Sequence, residues 1–216
     1  FSMKKTETNL AFITRIFLAV IYVVGVIGLS IPSLRPLYVQ LTPVTLFISA
    51  LLLFAFHEPW NFKFAVTFLI IAMLGFWIEA YGVSSGVIFG TYSYSEVLGW
   101  KLLDVPLIIG INWLILTYGA YVIASYIFRK VYLRLIAGSL LMVVFDLVME
   151  PVAIGLNMWT WQVGIPPAQN YLAWFIISFA FMSLFPLFRL KPRNPVSAHL
   201  FVYMFIFFGL LNLILS

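Results

Sequence analysis

The chain has 216 residues, of which 64% are hydrophobic and only 9% are Asp, Glu, Lys or Arg. A soluble domain carries roughly 25% charged residues, so the apolar surplus of this chain must face lipid rather than water. The net charge of +5 is too dispersed to neutralise a nucleic-acid backbone, and the lack of cysteine excludes disulfides and thiolate catalysis.

Seven apolar runs are long enough to cross a bilayer core of roughly 30 Å, and prolines punctuate the chain between them. No repeat or linker divides the sequence, so we expect residues 1–216 to form one all-α membrane domain. The predicted transmembrane helices are Leu10–Ile31, Tyr38–Phe56, Phe64–Tyr81, Val105–Phe128, Tyr132–Glu150, Tyr171–Phe188 and Val196–Leu215.

The first run follows Lys4 and Lys5, as in a signal peptide, but it is too long and lacks a small-residue cleavage site. We expect it to be retained as a helix with the N-terminus in the cytoplasm. All but two of the 12 Lys and Arg residues then lie at cytoplasmic helix ends, and only Arg35 and Lys101 lie outside. This division follows the positive-inside rule and predicts an external C-terminus.

Acidic residues gather at the outer helix ends in this topology. Glu79 lies near the end of the third helix, while Asp146 and Glu150 close the fifth, four residues apart and on one helical face. Carboxylates in lipid-embedded segments are costly and usually face a cavity or each other. We therefore predict that these three share a site. Asp104, before the fourth helix, is better explained as a residue that caps the helix or bonds the backbone.

Two long connections, 82–104 and 151–170, lie at the same end and are rich in Gly, Tyr and Trp. Connections of this length tend to be functional. Asn112 and Trp113 lie about 10 Å deeper, by the helical rise per residue. The aromatic residues of this end fit an interfacial belt or the walls of a pocket, and both interpretations stay open: Tyr92, Tyr94, Trp159, Trp161 and Trp174.

The chain lacks the residues that several classes of membrane enzyme and pigment protein need. Ser84 lies in a Gly-x-Ser-x-Gly string, but the string follows a membrane helix rather than a strand. His57 and His199 fall at the opposite end and cannot build a di-iron site, so we interpret them as interfacial polar residues. No paired acidic motif indicates a magnesium-diphosphate site, and the last helix has no lysine for a retinal Schiff base.

A set of ordered motifs runs through residues 75–180. It comprises EAYGVSSGVIFGTYSY from Glu79 to Tyr94, Asn112-Trp113, FDLVMEP at 145–151, MWTW at 158–161 and QNYLAW at 169–174. Their order and spacing resemble those of the carotenoid-biosynthesis membrane proteins that include bisanhydrobacterioruberin hydratase and γ-carotene hydratase.

The resemblance implies an enzyme without metal or cofactor that adds water to the terminal C=C of a linear carotenoid. Its partners would be this lipid-soluble substrate, water and the lipid of a bacterial or archaeal cytoplasmic membrane. Such chemistry needs a carboxylic acid, π faces for a carbocation and a base for water. On this basis Asp146 is the acid and Glu150 or Glu79 the base. Asn112 and Asn170 position water or acid, and the end-group pocket is lined by Trp113, Trp159, Trp161 and Trp174.

Two alternatives accompany this expectation. A carotenoid cyclase would form a similar cation and quench it by ring closure. A non-enzymatic carotenoid binder or transporter would need no acid, but a transporter should place its polar groups near the midplane. Here they lie toward one face.

Overall fold

A computed structural model describes the backbone of residues 2–215 and the side chains of residues 9–215; the side chains of Lys4 and Lys5 lie outside the described set. The helices are α1 (Ser2–Ser30), α2 (Arg35–Gln40), α3 (Thr42–Ala55), α4 (Phe62–Ser85), α5 (Ile108–Ile127), α6 (Val131–Gly155), α7 (Ala168–Leu187) and α8 (Ser197–Leu215). Short strands are β1 (Tyr92–Tyr94), β2 (Lys101–Leu102), β3 (Val105–Pro106) and β4 (Trp159–Trp161).

The predicted all-α membrane class is confirmed. Six helices are long and apolar enough to cross a bilayer, namely α1 from Asn9 onward, α4, α5, α6, α7 and α8. The chain is therefore a multi-pass membrane protein, while the orientation of its termini stays a prediction.

The second predicted span differs from a single long helix, because it is divided into α2 and α3 at Leu41. Pro43 in the first turn of α3 has no N–H to continue a helix from α2. With 14 residues, α3 is about 21 Å long, shorter than the bilayer core. It starts beside Gly99, and near its other end the carbonyl of Leu53 accepts a 2.7 Å hydrogen bond from Asn194. The residues of the second predicted span therefore form the α2–α3 pair, and a crossing of the bilayer by this pair stays a prediction.

The fifth predicted helix is longer than expected. We predicted that Pro151 would end it at Glu150, but α6 continues through the proline to Gly155. A proline inside a helix leaves one carbonyl without its donor, a cost that neighbouring helices can offset in a membrane protein. In the i→i−4 pattern that carbonyl is the one of Leu147. Asn212 of α8 donates a 2.5 Å hydrogen bond to the next carbonyl, that of Val148, which ties this turn to α8. The continued helix carries the chain directly toward β4.

Helices α4 and α5 pack closely enough to bring their polar residues together. A Cβ on Gly110 would collide with the backbone carbonyl of Ala72, so only glycine allows this approach. A Cβ on Gly75 would lie 2.8 Å from the Cβ of Trp113. Gly75 lies one helical turn before Glu79 on α4. The contact therefore brings the indole of Trp113 within reach of the Glu79 carboxyl.

His57 is not the interfacial residue that we predicted. It lies at the end of the bundle opposite β1 and β4, only 2% exposed, with the Tyr118 hydroxyl 2.7 Å from its Nδ1 atom. The rings of Phe64 and Phe68 pack around it at 4.3 and 5.0 Å. His199, by contrast, lies at the surface beside Arg15.

Burial lowers the pKa of the His57 imidazole to about 4, below its ordinary value of 6.5. The unfolded chain therefore binds more protons than the folded chain between these values, so stability should fall as the pH drops from about 6.5 to about 4. We expect the apparent melting temperature in detergent to decline over this window, and to decline less in His57→Phe. Equal slopes in the two proteins would contradict a buried, neutral imidazole.

Candidate functional site

The two long connections meet through a short antiparallel pairing of β1 with β4. Tyr92 lies opposite Trp161 and Tyr94 opposite Trp159. Side chains alternate across a strand, so these four aromatic residues point inward, while the hydroxyls of Ser93 and Thr160 lie 3.2 Å apart outside. We predicted long loops here, and the alternation in YSY and WTW was the signal that they are strands.

Glu79 lies near the C-terminal end of α4 and is buried beneath β1. Its Oε1 atom accepts a 2.9 Å hydrogen bond from Nε1 of Trp113. Its Oε2 atom accepts hydrogen bonds from the hydroxyl of Tyr94, at 2.9 Å, and from that of Tyr92. Both oxygens are thus occupied by protein donors.

The two tyrosines act as donors because they stay protonated. Burial, and then the negative charge of Glu79, raise the pKa of the Tyr92 and Tyr94 phenols well above its ordinary value. A protonated phenol can donate to a carboxylate, and a phenolate cannot. The arrangement therefore ties β1 firmly to the end of α4.

Asp146 and Glu150 lie one turn apart on α6, as their spacing predicted, and both are buried. Asn170 Nδ2 donates to Asp146 Oδ2 at 2.6 Å, while Asp146 Oδ1 is buried without a partner among the described residues. Glu150 Oε2 accepts from the indoles of Trp159, at 3.0 Å, and Trp161, at 2.9 Å. Each carboxyl therefore has its own donors, and one oxygen of Asp146 has none.

The three carboxyls share a cavity of about 320 Å³. Its polar end is lined by the carboxyls and by Tyr92, Tyr94, Asn112, Trp159, Trp161, Asn170 and Trp174. The remaining walls are mostly apolar side chains from α1, α2, α3 and α8. The structure thus brings the predicted acids together in a space that is closed on its polar side by β1 and β4.

Positive charge is scarce around these acids. Across residues 9–215 the single salt bridge joins Lys101 to Glu96 at 2.7 Å, and Glu96 is largely exposed. Three carboxylates in one apolar cavity would repel one another without compensation, so at least one of them should hold a proton.

Two residues that we predicted to belong to the site do not have the contacts expected of them. Trp113 does not line the cavity; it stacks on Trp174 with ring centroids 4.4 Å apart and reaches Glu79 from behind. Asn112 lines the cavity, but within the described part of the chain its side chain bonds none of the carboxyls. Asn170, also predicted, does bond an acid.

Asp104 lies away from the site. It is exposed in the turn between β2 and β3, where Leu103 and Asp104 have φ values of 52° and 62°. Both central residues of this two-residue hairpin have positive φ, a conformation that Asp adopts more readily than most residues do. We had interpreted it as a helix cap or backbone contact rather than a site residue; the structure assigns it to the hairpin turn.

Sequence reasoning missed the contribution of α1. Tyr22 and Gly25 of α1, Tyr38 of α2 and Phe207 of α8 all line the cavity. From Ile16 to Leu29 the first helix is apolar on all sides in sequence, so hydrophobic periodicity gave no sign of an inward face.

Comparison with known proteins supports an assignment by family. Residues 36–216 match the sequence profile of a family described as carotenoid biosynthesis protein. The chain shows no significant match to a curated protein or to a solved structure. The profile covers most of the chain, including every carboxyl of the cavity. The protein therefore belongs to the carotenoid biosynthesis protein family.

Proposed function

We propose that the chain is a carotenoid hydratase, which adds water to the terminal C=C of a linear carotenoid end group. The observation that carries this proposal is Asp146, a fully buried carboxyl with one unpartnered oxygen in a cavity lined by aromatic residues. Membership of the family implies a lipid-soluble carotenoid substrate.

Asp146 is the best candidate for the proton donor. Glu79 receives three hydrogen bonds and Glu150 two, which stabilise their charged forms, whereas Asp146 receives only one. The proton shared among the three acids is therefore best placed on Asp146 Oδ1, which bonds nothing else in residues 9–215. From there it can be given to the less substituted carbon of the end group's C=C, the one that carries a hydrogen.

Protonation at that carbon would leave a tertiary carbocation on its neighbour. The cavity offers the aromatic faces that stabilise such a charge, since three tryptophans line its polar end together with two tyrosines, namely Trp159, Trp161, Trp174, Tyr92 and Tyr94. The carboxylates of Glu79 and Glu150 would add electrostatic stabilisation in a site with little water.

Glu150 is better placed than Glu79 to activate water. Both oxygens of Glu79 are occupied, while Glu150 uses only Oε2 for the two indoles, and no hydrogen bond from a described residue reaches its Oε1. Water held at Oε1 attacks the cation and gives its proton to Glu150, which yields a tertiary alcohol. The proton then returns along one helical turn from Glu150 to Asp146, and the acid is restored.

The test is expression of the full chain in cells that accumulate lycopene, followed by mass analysis of the extracted pigments. We expect a tertiary alcohol heavier than lycopene by one water. A ring-containing product of unchanged mass would indicate a cyclase instead. Lycopene that co-purifies with the protein without being converted would indicate a carotenoid binder, and either result would contradict hydration.

Replacing Glu150 separates its role from that of the acid. Glu150→Gln keeps an oxygen that can accept from Trp159 and Trp161 but removes the base, so hydration should fall about 10²-fold. The rate of alcohol formation by purified protein measures this effect. Glu96→Gln, the same change at an exposed site, is the control and should leave the rate unaltered. Equal rates in both variants would exclude Glu150 as the base.

A further inference from the structure

The cavity has an apolar end that the proposed chemistry does not use. The walls of this end come from α1, α3 and α8. They include Val20, Ile21, Val24, Gly25, Leu46 and Phe207. None of these side chains can donate or accept a proton. This end of the cavity is therefore suited to hold hydrocarbon.

The apolar end is open through the side of the bundle. Val20, Val24 and Leu41 line the cavity and yet are 52%, 43% and 40% exposed. Where half-exposed side chains form its wall, the cavity reaches the outer surface of the bundle. Because α1 crosses the bilayer, an opening between α1 and the α2–α3 pair faces lipid rather than water.

Two tyrosines at the opening are held in place. The hydroxyl of Tyr22 lies 3.0 Å from that of Ser49 and joins α1 to α3. The ring of Tyr38 occupies the space where a side chain on Gly28 would lie, which joins α1 to α2. Both rings line the cavity, so the opening is part of the packed fold.

The size of the cavity requires such an opening. A linear carotenoid is about as long as the bilayer core is thick, roughly 30 Å. A cavity of about 320 Å³ lies at the lower limit of the roughly 300–1,000 Å³ of ordinary ligand pockets. It can enclose an end group but not the whole molecule, so the rest of the chain must leave through a wall.

We propose that the opening between α1 and α2–α3 is the binding site for the hydrocarbon chain of the substrate and its route from lipid to the carboxyls. This proposal rests on the proposed function for the identity of the ligand. The end group lies under the β1–β4 pair, and the chain passes between Val24 of α1 and Thr45 of α3 into the bilayer. Helix α1 precedes the family-matched residues 36–216, so one wall of this route lies outside the matched segment.

The absence of cysteine from the sequence permits a direct test in the full chain. Val24→Cys and Thr45→Cys each place one thiol at the opening. Val23→Cys and Val44→Cys are matched controls, because Val23 and Val44 are exposed neighbours on the same helices that do not line the cavity. The rate of reaction with pyrene maleimide is measured for each purified variant with and without lycopene.

Lycopene at ten times its dissociation constant should slow labelling about tenfold at positions 24 and 45 and leave positions 23 and 44 unchanged. Once labelled, Val24→Cys should lose lycopene conversion but still convert a short alkene with the same dimethyl-substituted C=C, because only the long chain needs the opening. Equal protection at all four positions, or none, would overturn the proposed site. Selective protection without a hydrated product would keep the site and contradict the hydratase.

Discussion

Asp146→Asn should reduce the formation of hydrated carotenoid by at least about 10³-fold, because it removes the only proton donor that the proposed mechanism provides. Asparagine has nearly the same shape, and its amide oxygen can still accept the 2.6 Å hydrogen bond from Asn170. The fold should therefore survive. The measurements are the initial rate of alcohol formation by purified protein and the elution profile in detergent.

The chain offers a matched control for this substitution. Asp104→Asn makes the same chemical change in an exposed hairpin turn, where the φ of 62° is as acceptable for Asn as for Asp. It should leave the rate unaltered. If Asp146→Asn matches this control, the buried aspartate is not the acid, and a donor must be sought elsewhere in the cavity. Protection of Val24→Cys by lycopene should persist in Asp146→Asn, since binding of the hydrocarbon chain does not need the proton.

Much of this fold follows from hydrophobic content and helical periodicity. Runs of apolar residues located the long helices within a few residues, and the four-residue spacing of Asp146 and Glu150 placed both on one face. The continuation of α6 through Pro151 could not be predicted in this way, because the turn before the proline is tied to another helix, through the hydrogen bond from Asn212 to the carbonyl of Val148.

The candidate site was only partly predictable for a similar reason. The need to shield buried carboxyls suggested that Glu79, Asp146 and Glu150 would converge. Which donor bonds which acid depends on the register of β1 against β4, and that register pairs residues almost 70 positions apart in the chain. The burial of His57 likewise depends in part on Tyr118, which lies 61 positions further along the chain, and the sequence around His57 gives no sign of this contact.

Glu79→Leu should be the most destabilising of the carboxyl substitutions. It leaves the hydroxyls of Tyr92 and Tyr94 and the indole N–H of Trp113 without their acceptor in a buried site. Each unpaired donor costs about 1–3 kcal/mol, and relief of repulsion among the acids offsets part of the sum. A net loss of about 3 kcal/mol would lower the apparent melting temperature by about 6–12 °C.

The cause of that loss can be isolated by removing the donors as well. If unpaired hydroxyls destabilise Glu79→Leu, then adding Tyr92→Phe and Tyr94→Phe to it should restore most of the lost stability. Replacing both partners of a buried hydrogen bond by apolar groups costs far less than leaving the donor without its acceptor. The two tyrosine substitutions alone should destabilise the protein, since Glu79 would keep only Trp113 as a donor. Tyr81→Phe, an exposed position on the same helix, is the control for loss of a hydroxyl. A triple variant less stable than Glu79→Leu would show that Glu79 stabilises the fold by packing, and not as the acceptor that holds β1 over the cavity.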